Sequence, residues 1–324
     1  MCTAITFKTI DNYFGRTLDN PISYNEEVII TPRNFSFKFR NGICIENHFA
    51  IIGMACCADN YPLYYDAINE KGLAIAGLNF AESCYYQQEK KEMINISQFE
   101  FIPWILSSCT SVKQAKDFIK KINFINVPFN DQLPLAKLHW IISDSRQCIV
   151  VEAMKNGIKI YDNKVGVLTN EPPFDYQMFN LNNYLNLTNK YASNRLSKQI
   201  KLNNYSLGMG GLGLPGDNSS QSRFVRIVFN KFNCQTSNDE LSSINQFFHL
   251  LNSVNQIKGT SKTKIDANEM TIYSSCCNLN KGIYYYTTYN NHQINSINMH
   301  KENLESCNLI RFELIKNENI NYQN

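Results

Sequence analysis

The sequence predicts an α+β fold in which layered antiparallel sheets are covered by helices within one domain. Three observations carry this. Strand-like runs fill the first eighty residues and return in two later blocks, helical patterns cluster between them, and 324 residues of 44% hydrophobic content are enough to bury one large core.

In the first block, 3–9, 13–18, 27–32, 48–56 and 72–80 carry the β-branched and aromatic residues of half-buried strands. Asp11-Asn12 reads as the hairpin turn between the first two. A helix then starts at Ser111, which stands in capping-box spacing with Gln114, and places Val112, Ala115, Phe118, Ile119 and Ile122 on one apolar stripe. Its lysines fall on the opposite, solvated face. The second block reads 138–143, 148–154, 157–161 and 165–170. Pro172-Pro173 stops it and leaves Asn170 at a strand tip, and 174–185 is helical. Residues 186–220, rich in Asn, Ser and Gly, form the longest irregular stretch, a length that in a compact domain goes with function or assembly. Amphipathic helices at 220–232 and 239–253 lead to a closing meander of 271–279, 282–289 and 294–300, whose middle strand carries Tyr284-Tyr285-Tyr286. No repeat or linker divides the chain, so 1–324 reads as a single domain.

Composition excludes several function classes. The formal net charge is only +3 and the basic residues are interspersed with acids, so no basic stripe exists to meet a nucleic-acid backbone. The longest apolar run, 49–58, is too short to cross a bilayer, and no charged-then-apolar leader pattern opens the chain, so a cytosolic protein without membrane insertion is expected. Eleven cysteines are an odd number, without any C-x-x-C pair, and read as mostly reduced thiols. The doublets Cys56-Cys57 and Cys276-Cys277 sit in apolar strand-like sequence that suits small buried cysteines, and no zinc site is expected.

Gly208, Gly210 and Gly213 have the spacing of a dinucleotide fingerprint, but the motif follows a polar loop and runs into Leu214-Pro215-Gly216-Asp217, a turn. It lacks the strand before and the helix after that a phosphate cradle needs. His139, in an apolar strand, reads as a packed histidine rather than the partner of a thiol. Cys2 stands apart by position. Removal of Met1 would leave a free α-amine on the residue that carries the thiol. An α-amine titrates at about 7.7–8.0 and a cysteine thiol at about 8.5, so proton transfer between them costs little near neutrality, and one residue can be nucleophile and base. A cation nearby would favour the thiolate, and a carboxylate would hold the ammonium. Arg16 and Asp19 lie on the adjacent hairpin strand. A three-residue turn would put Arg16 on the face of Cys2, whereas Asp19 would need a bulge or the strand end to join it.

Met1-Cys2-Thr3-Ala4, Phe14-Gly15-Arg16-Thr17-Leu18-Asp19, Thr31-Pro32-Arg33-Asn34, Asn69-Glu70-Lys71-Gly72-Leu73, Gly77-Leu78-Asn79-Phe80, Val167-Leu168-Thr169-Asn170, and Gly213-Leu214-Pro215-Gly216-Asp217 through Ser222-Arg223-Phe224 resemble the choloylglycine hydrolase family, nearly end to end and in order. That family contains bile salt hydrolases and penicillin V acylases. The resemblance implies a four-layer αββα sandwich of N-terminal-nucleophile hydrolase type and an amidase that needs no metal or organic cofactor. It implies Cys2 as nucleophile, with Arg16 and Asp19 orienting and polarising it. Asn79 and Asn170 would be oxyanion-site residues, one through its backbone N–H and one through its side-chain amide, and Arg223 a further active-site arginine. Leu18, Tyr24, Tyr65, Phe129 and Leu133 fall where relatives line an apolar substrate pocket. Asn79 stands where penicillin-selective relatives often carry tyrosine, and 186–217 resembles the assembly loop of tetrameric bile salt hydrolases. Conjugated bile salts are therefore the expected substrates and a cytoplasmic bacterial homotetramer the expected assembly. The alternatives are a penicillin V acylase and a catalytically silent binding protein of the same fold, of which a retained Met1 would be a sign.

Overall fold

A computed structural model describes residues 1–236 and 238–324. Two antiparallel sheets face each other. One runs, edge to edge, Val167–Leu168, Cys2–Lys8, Asn12–Asn20, Met270–Asn278, Ile283–Thr288 and Asn291–Asn298. The other runs Gly157–Asp162, Cys148–Met154, Leu138–Ser143, Ala74–Asn79, Tyr61–Asn69, Ile51–Ala58, Glu27–Thr31 and Ile310–Glu313.

Alternation along each strand assigns its two faces. Ala4, Phe14, Val28, Ile52, Ile68, Ala76, Ile141 and Val150 belong to one buried cluster drawn from both sheets. The intervening Ile29, Ile51, Ala67, Ile75, Trp140 and Val151 belong to a second cluster, packed with helices α1 (Phe101–Ser108) and α2 (Val112–Ile119) on the outer face of the eight-stranded sheet. A short helix α3 (Phe174–Asn180) precedes α4 (Ser220–Asn233) and α5 (Glu240–Asn252), which cover the outer face of the six-stranded sheet through Phe224, Phe247 and Leu251. The layers are therefore helix, sheet, sheet, helix, the expected αββα arrangement.

Several boundaries differ from the sequence reading. The hairpin connection is Thr9 to Asp11, closed by Thr9 N–H to Asp11 O at 3.0 Å, and Asn12 already pairs with Lys8. Ser111 does cap α2, accepting from Gln114 N, but Ile122 leaves the helical stripe and starts the strand Ile122–Ile125, parallel to Ile94–Ser97. Helix 174–185 breaks into α3 and a 3₁₀ turn at Leu181–Tyr184. The strand 165–170 shrinks to Val167–Leu168, because Asn163 takes Gly166 N and Val167 O with its side chain. The strands Tyr61–Asn69 and Ile310–Glu313 and helix α1 were not anticipated: the first alternates too little to announce itself, and the last is too hydrophobic to show a periodic face. Gly208, Gly210 and Gly213 lie around a 3₁₀ turn at Met209–Gly211 and open no α-helix. Cys276 and Cys277 are buried, Cys56 and Cys57 half-buried, and all eleven cysteines are free thiols. Among the described residues no helix is long and apolar enough to cross a membrane.

Candidate active site

The site grows from the N-terminal hairpin. Cys2 pairs with Leu18, Thr3 with Thr17 and Ala4 with Arg16, so Cys2, Leu18 and Arg16 share the face turned to the other sheet, while Thr3, Thr17 and Asp19 point outward. The three-residue connection fixes that register.

On the inner face Arg16, fully buried, reaches across to the eight-stranded sheet. Its Nη1 donates to the carbonyls of Tyr65 (3.1 Å) and Gly77 (2.5 Å), and its Nε to Thr17 O (3.2 Å). The second sheet is built to allow this. Pairing between Tyr61–Asn69 and Ala74–Asn79 stops at Asp66 and Ala76, and Tyr65 is the extra residue of a β-bulge opposite Met54 and Ala55. The guanidinium thus occupies the gap where the two strands part, and takes carbonyls that the ladder has released. Nη2 has no hydrogen-bond partner. Burial alone would lower the Arg16 pKa, but the Cys2 thiolate, Tyr273, Asp66 and Asp19 together raise it.

Asn79 ends the strand that borders this gap. Phe80 N–H bonds Lys137 O at 2.8 Å, so the pair of Asn79 and Leu138 is the non-hydrogen-bonded kind. The N–H and C=O of Asn79 then point to the same edge as Gly77 O, away from the Leu138 strand, while its side chain is exposed. The carbonyl accepts from Asn170 Nδ2 at 2.8 Å.

On the outer face Arg223, buried in the first turn of α4, grips the Cys2 backbone. Its Nη1 donates to Cys2 O and Thr3 Oγ1, both at 2.6 Å, and its Nη2 to Asn170 Oδ1 at 2.8 Å. Asn170 Oδ1 also accepts from Cys2 N at 2.7 Å. Since Arg223 can only donate, the atom facing it must be the amide oxygen, which leaves one Nδ2 hydrogen free of Asn79 O. Asp217 fixes that first turn by accepting from Ser222 Oγ (2.5 Å) and Ser219 N (2.9 Å), which gives the Gly213–Asp217 turn its structural reason. Burial lowers the Arg223 pKa, and Asp19 and the Cys2 thiolate oppose it.

Asp19 accepts from Thr271 Oγ1 (2.7 Å) and Thr17 Oγ1 (3.3 Å), beside a bulge at Ile272 in the neighbouring strand. Neither a bulge nor the strand end turns it onto the Cys2 face: the register of the first two strands is unbroken, and Asp19 stays on the outer face, where it lies opposite Met1. Burial raises the Asp19 pKa, against the chain-end amine, Arg223, Thr271 and Arg16. Met1 extends the first strand by one residue: its carbonyl accepts from Asp19 N, and its amine donates to Asp19 O at 2.9 Å and ion-pairs with Glu269. Burial lowers the pKa of that amine, with Cys2 and Asp19 raising it.

His139 is packed, as its sequence suggested. It stacks on Phe80, and its Nε2 lies 2.9 Å from Thr169 O, which steadies the residue before Asn170. The expected pocket residues separate. Leu18 is buried against Cys2 and Tyr65 carries the carbonyl that holds Arg16, whereas Tyr24 is exposed on the turn after Asn20 and close enough to influence Tyr65 electrostatically. Phe129 and Leu133 sit on the 126–137 connection, with Phe129 against Phe99 (5.1 Å) and Tyr61 (5.9 Å). With Met1 in place Cys2 is 4% exposed. Larger clefts of about 720 and 550 Å³ lie beside Arg40 and Val127 and beside Lys8 and Arg146, and neither is lined by Cys2. Sequence reasoning missed Thr3, Thr17, Ser220 and Thr271, whose hydroxyls complete the outer-face network; Ser220 Oγ accepts from Asn170 N at 2.8 Å. Such residues are common in strands and caps and carry no local signal.

A family model described as linear amide C–N hydrolases, choloylglycine hydrolase family, matches residues 2–312. The chain is 52% identical over 314 residues, 97% of both chains, to a bile salt hydrolase/transferase of Lactiplantibacillus plantarum. It is 39% identical to a bile salt hydrolase/transferase of Clostridium perfringens, with both chains covered in full. The crystal structure of the C2A mutant of a conjugated bile acid hydrolase from Clostridium perfringens superposes with a TM-score of 0.93 at 37% identity, again over the whole of both chains.

Proposed function

The chain belongs to the choloylglycine hydrolase family of linear amide C–N hydrolases, and we propose that it cleaves the amide bond of glycine- and taurine-conjugated bile salts through Cys2. The observation that carries this reading is the convergence on Cys2 of buried Arg16 from one face and of Asp19, Asn170 and Arg223 from the other.

After excision of Met1 the Cys2 nitrogen becomes an amine in a buried position, where desolvation keeps it a free base near neutrality, and the neighbouring Asp19 carboxylate offsets the cost of the ammonium that forms when it takes the thiol proton. The thiolate adds to the amide carbon. The negative charge that develops on the carbonyl oxygen is met by the Asn79 N–H, which points into the strand gap, and by the free Nδ2 hydrogen of Asn170. Both donors are neutral and fixed before the reaction begins. The Cys2 ammonium then protonates the leaving amine, the C–N bond breaks, and water hydrolyses the thioester to regenerate the thiol. Arg16 favours the thiolate, Asp19 holds the ammonium, and Arg223 locks the Cys2 carbonyl and the Asn170 amide in register. Leu18 and Tyr65 would begin the apolar wall for the steroid acyl group, and Tyr24, Phe129 and Leu133 its outer loops.

The reading extends to a cytoplasmic homotetramer assembled through 186–217, a stretch that exposes Tyr191, Leu196, Tyr205 and Leu207. Side-by-side incubation with glycocholate, taurocholate and penicillin V tests the substrate class. Faster release of glycine and taurine supports the proposal, and preferential cleavage of penicillin V overturns it. Intact-mass analysis of active protein is expected to find Met1 gone.

A further inference from the structure

One buried acid next to the site has no part in the reaction just described. Asp66 is fully buried, one residue beyond the bulge whose carbonyl holds Arg16. Three hydroxyls from the opposite sheet converge on it: Tyr273 at 2.5 Å on Oδ1, and Tyr284 at 2.7 Å and Ser275 at 3.0 Å on Oδ2. Ser275 Oγ in turn accepts from Arg16 N at 3.2 Å. Tyr284 is the first member of the tyrosine run on the Ile283–Thr288 strand, which the hydrolytic site otherwise leaves unexplained.

Three hydroxyl donors on one side chain suit a carboxylate, whose two oxygens accept all of them and gain more from each bond when charged. Burial beside Asp66 holds the Tyr273 and Tyr284 phenols protonated, with pKa values well above the usual phenol value, so both remain donors. Burial also raises the Asp66 pKa, while Arg16 and the three hydroxyls pull it down. From the geometry we infer that Asp66 is a positioning residue: a carboxylate clamped by Tyr273, Tyr284 and Ser275 that serves as counter-charge to Arg16 and sets how strongly the guanidinium favours the Cys2 thiolate. This rests on the reading of Cys2 as nucleophile. The groups facing the thiol are Arg16 from its own hairpin, Asp19 beyond it, Arg223 from α4 and the chain-end amine; those facing Asp66 are Arg16, Tyr273, Tyr284 and the Cys277 thiol. Removing the negative charge leaves the positive field of Arg16 less offset, so the thiol ionises at lower pH. A thiolate of lower pKa is also a weaker nucleophile.

The test follows iodoacetamide alkylation of Cys2 across pH, read by mass on the N-terminal peptide, together with kcat. In Asp66→Asn the alkylation midpoint is expected to fall by about half a unit to one unit, and kcat by roughly three- to tenfold. Tyr284→Phe removes one donor that holds Asp66 ionised, so part of the Asp66 population takes a proton and both quantities are expected to move in the same direction by less; it decides the matter if Asp66→Asn does not fold. A folded variant with the wild-type midpoint, or with one moved upward, overturns the inference, whatever happens to its melting temperature. A shifted midpoint in a protein that cleaves no conjugate would sustain the role of Asp66 and defeat the substrate reading instead.

Discussion

Replacing the Cys2 sulfur by oxygen changes the volume at this position little, but it raises the pKa of the nucleophile far above that of any base within reach. Cys2→Ser is therefore expected to retain the fold and lose nearly all hydrolysis, measured as released glycine or taurine; full activity would dismiss the nucleophile assignment. Asn170 is bound more tightly into the structure, because its amide oxygen accepts from both Cys2 N and Arg223 Nη2. Asn170→Ala is expected to lower kcat on the order of a hundredfold. It should also cost about 1–3 kcal/mol of stability, because the buried Arg223 would lose an acceptor. The amine at the chain end supplies the pH dependence. Its pKa is lowered by burial from an ordinary value near 8.0, so it is a free base at lower pH than a solvated amine. Once Met1 is gone the amine is the Cys2 nitrogen, which lies one residue further inside and already faces Asn170 Oδ1. Activity should therefore fall with acidification along a limb whose midpoint lies below about pH 8, and a midpoint above that value would count against this base.

At the scale of elements, the hairpin and two bulges decide where the charged groups meet. The bulge at Tyr65 frees a carbonyl for Arg16, and the one at Ile272 brings Thr271 onto Asp19. Gly15, next to Arg16, lies so close to the neighbouring strand that a Cβ there would stand 1.9 Å from Ser275 O. Gly15→Ala must push those strands apart. It is expected to cost about 1–3 kcal/mol in urea unfolding and to lower activity with it, through the displaced guanidinium. Lys231 of α4 donates to Thr6 Oγ1 and to the carbonyls of Val165 and Gly166, and burial pushes its pKa down to about 8 from 10.5. Between those values the unfolded chain holds a proton that the folded chain has released, so this residue makes stability rise with pH from about 8 to 10.5. Lys231→Met should flatten that rise in unfolding curves taken across the window.

The whole molecule exposes its apolar side chains unevenly. Leu196, Tyr205 and Leu207, each at least 80% exposed, lie on the long connection between α3 and α4, which makes that region the expected contact between chains. If the proposed tetramer forms through this region, a double change of Tyr205→Glu and Leu207→Glu is expected to reduce the mass in light scattering from four chains to one without unfolding the sandwich. An unchanged mass would place the assembly surface elsewhere. The layered architecture itself was legible, because period-two alternation and amphipathic helices report on burial residue by residue. Tyr61–Asn69 escaped because the bulge at Tyr65 interrupts its alternation, so the feature that frees the Tyr65 carbonyl for Arg16 is also the one that hid the strand.

The sequence alone determined the sheet-and-helix order, the position of a thiol that can carry its own base, and, through the resemblance of its ordered motif blocks, the family and with it the candidate residues Cys2, Arg16, Asp19, Asn79, Asn170 and Arg223. These are local or order-preserving properties, written in one dimension. Only the tertiary structure decided which face of the hairpin each charge occupies, that Arg16 fills a parting between two strands of the other sheet with Asp66 and Tyr284 behind it, and that Thr271 meets Asp19 on the outer face. Those contacts join residues separated by tens to hundreds of positions, and no periodicity or motif can specify a distance between side chains that only the closing of two sheets brings together.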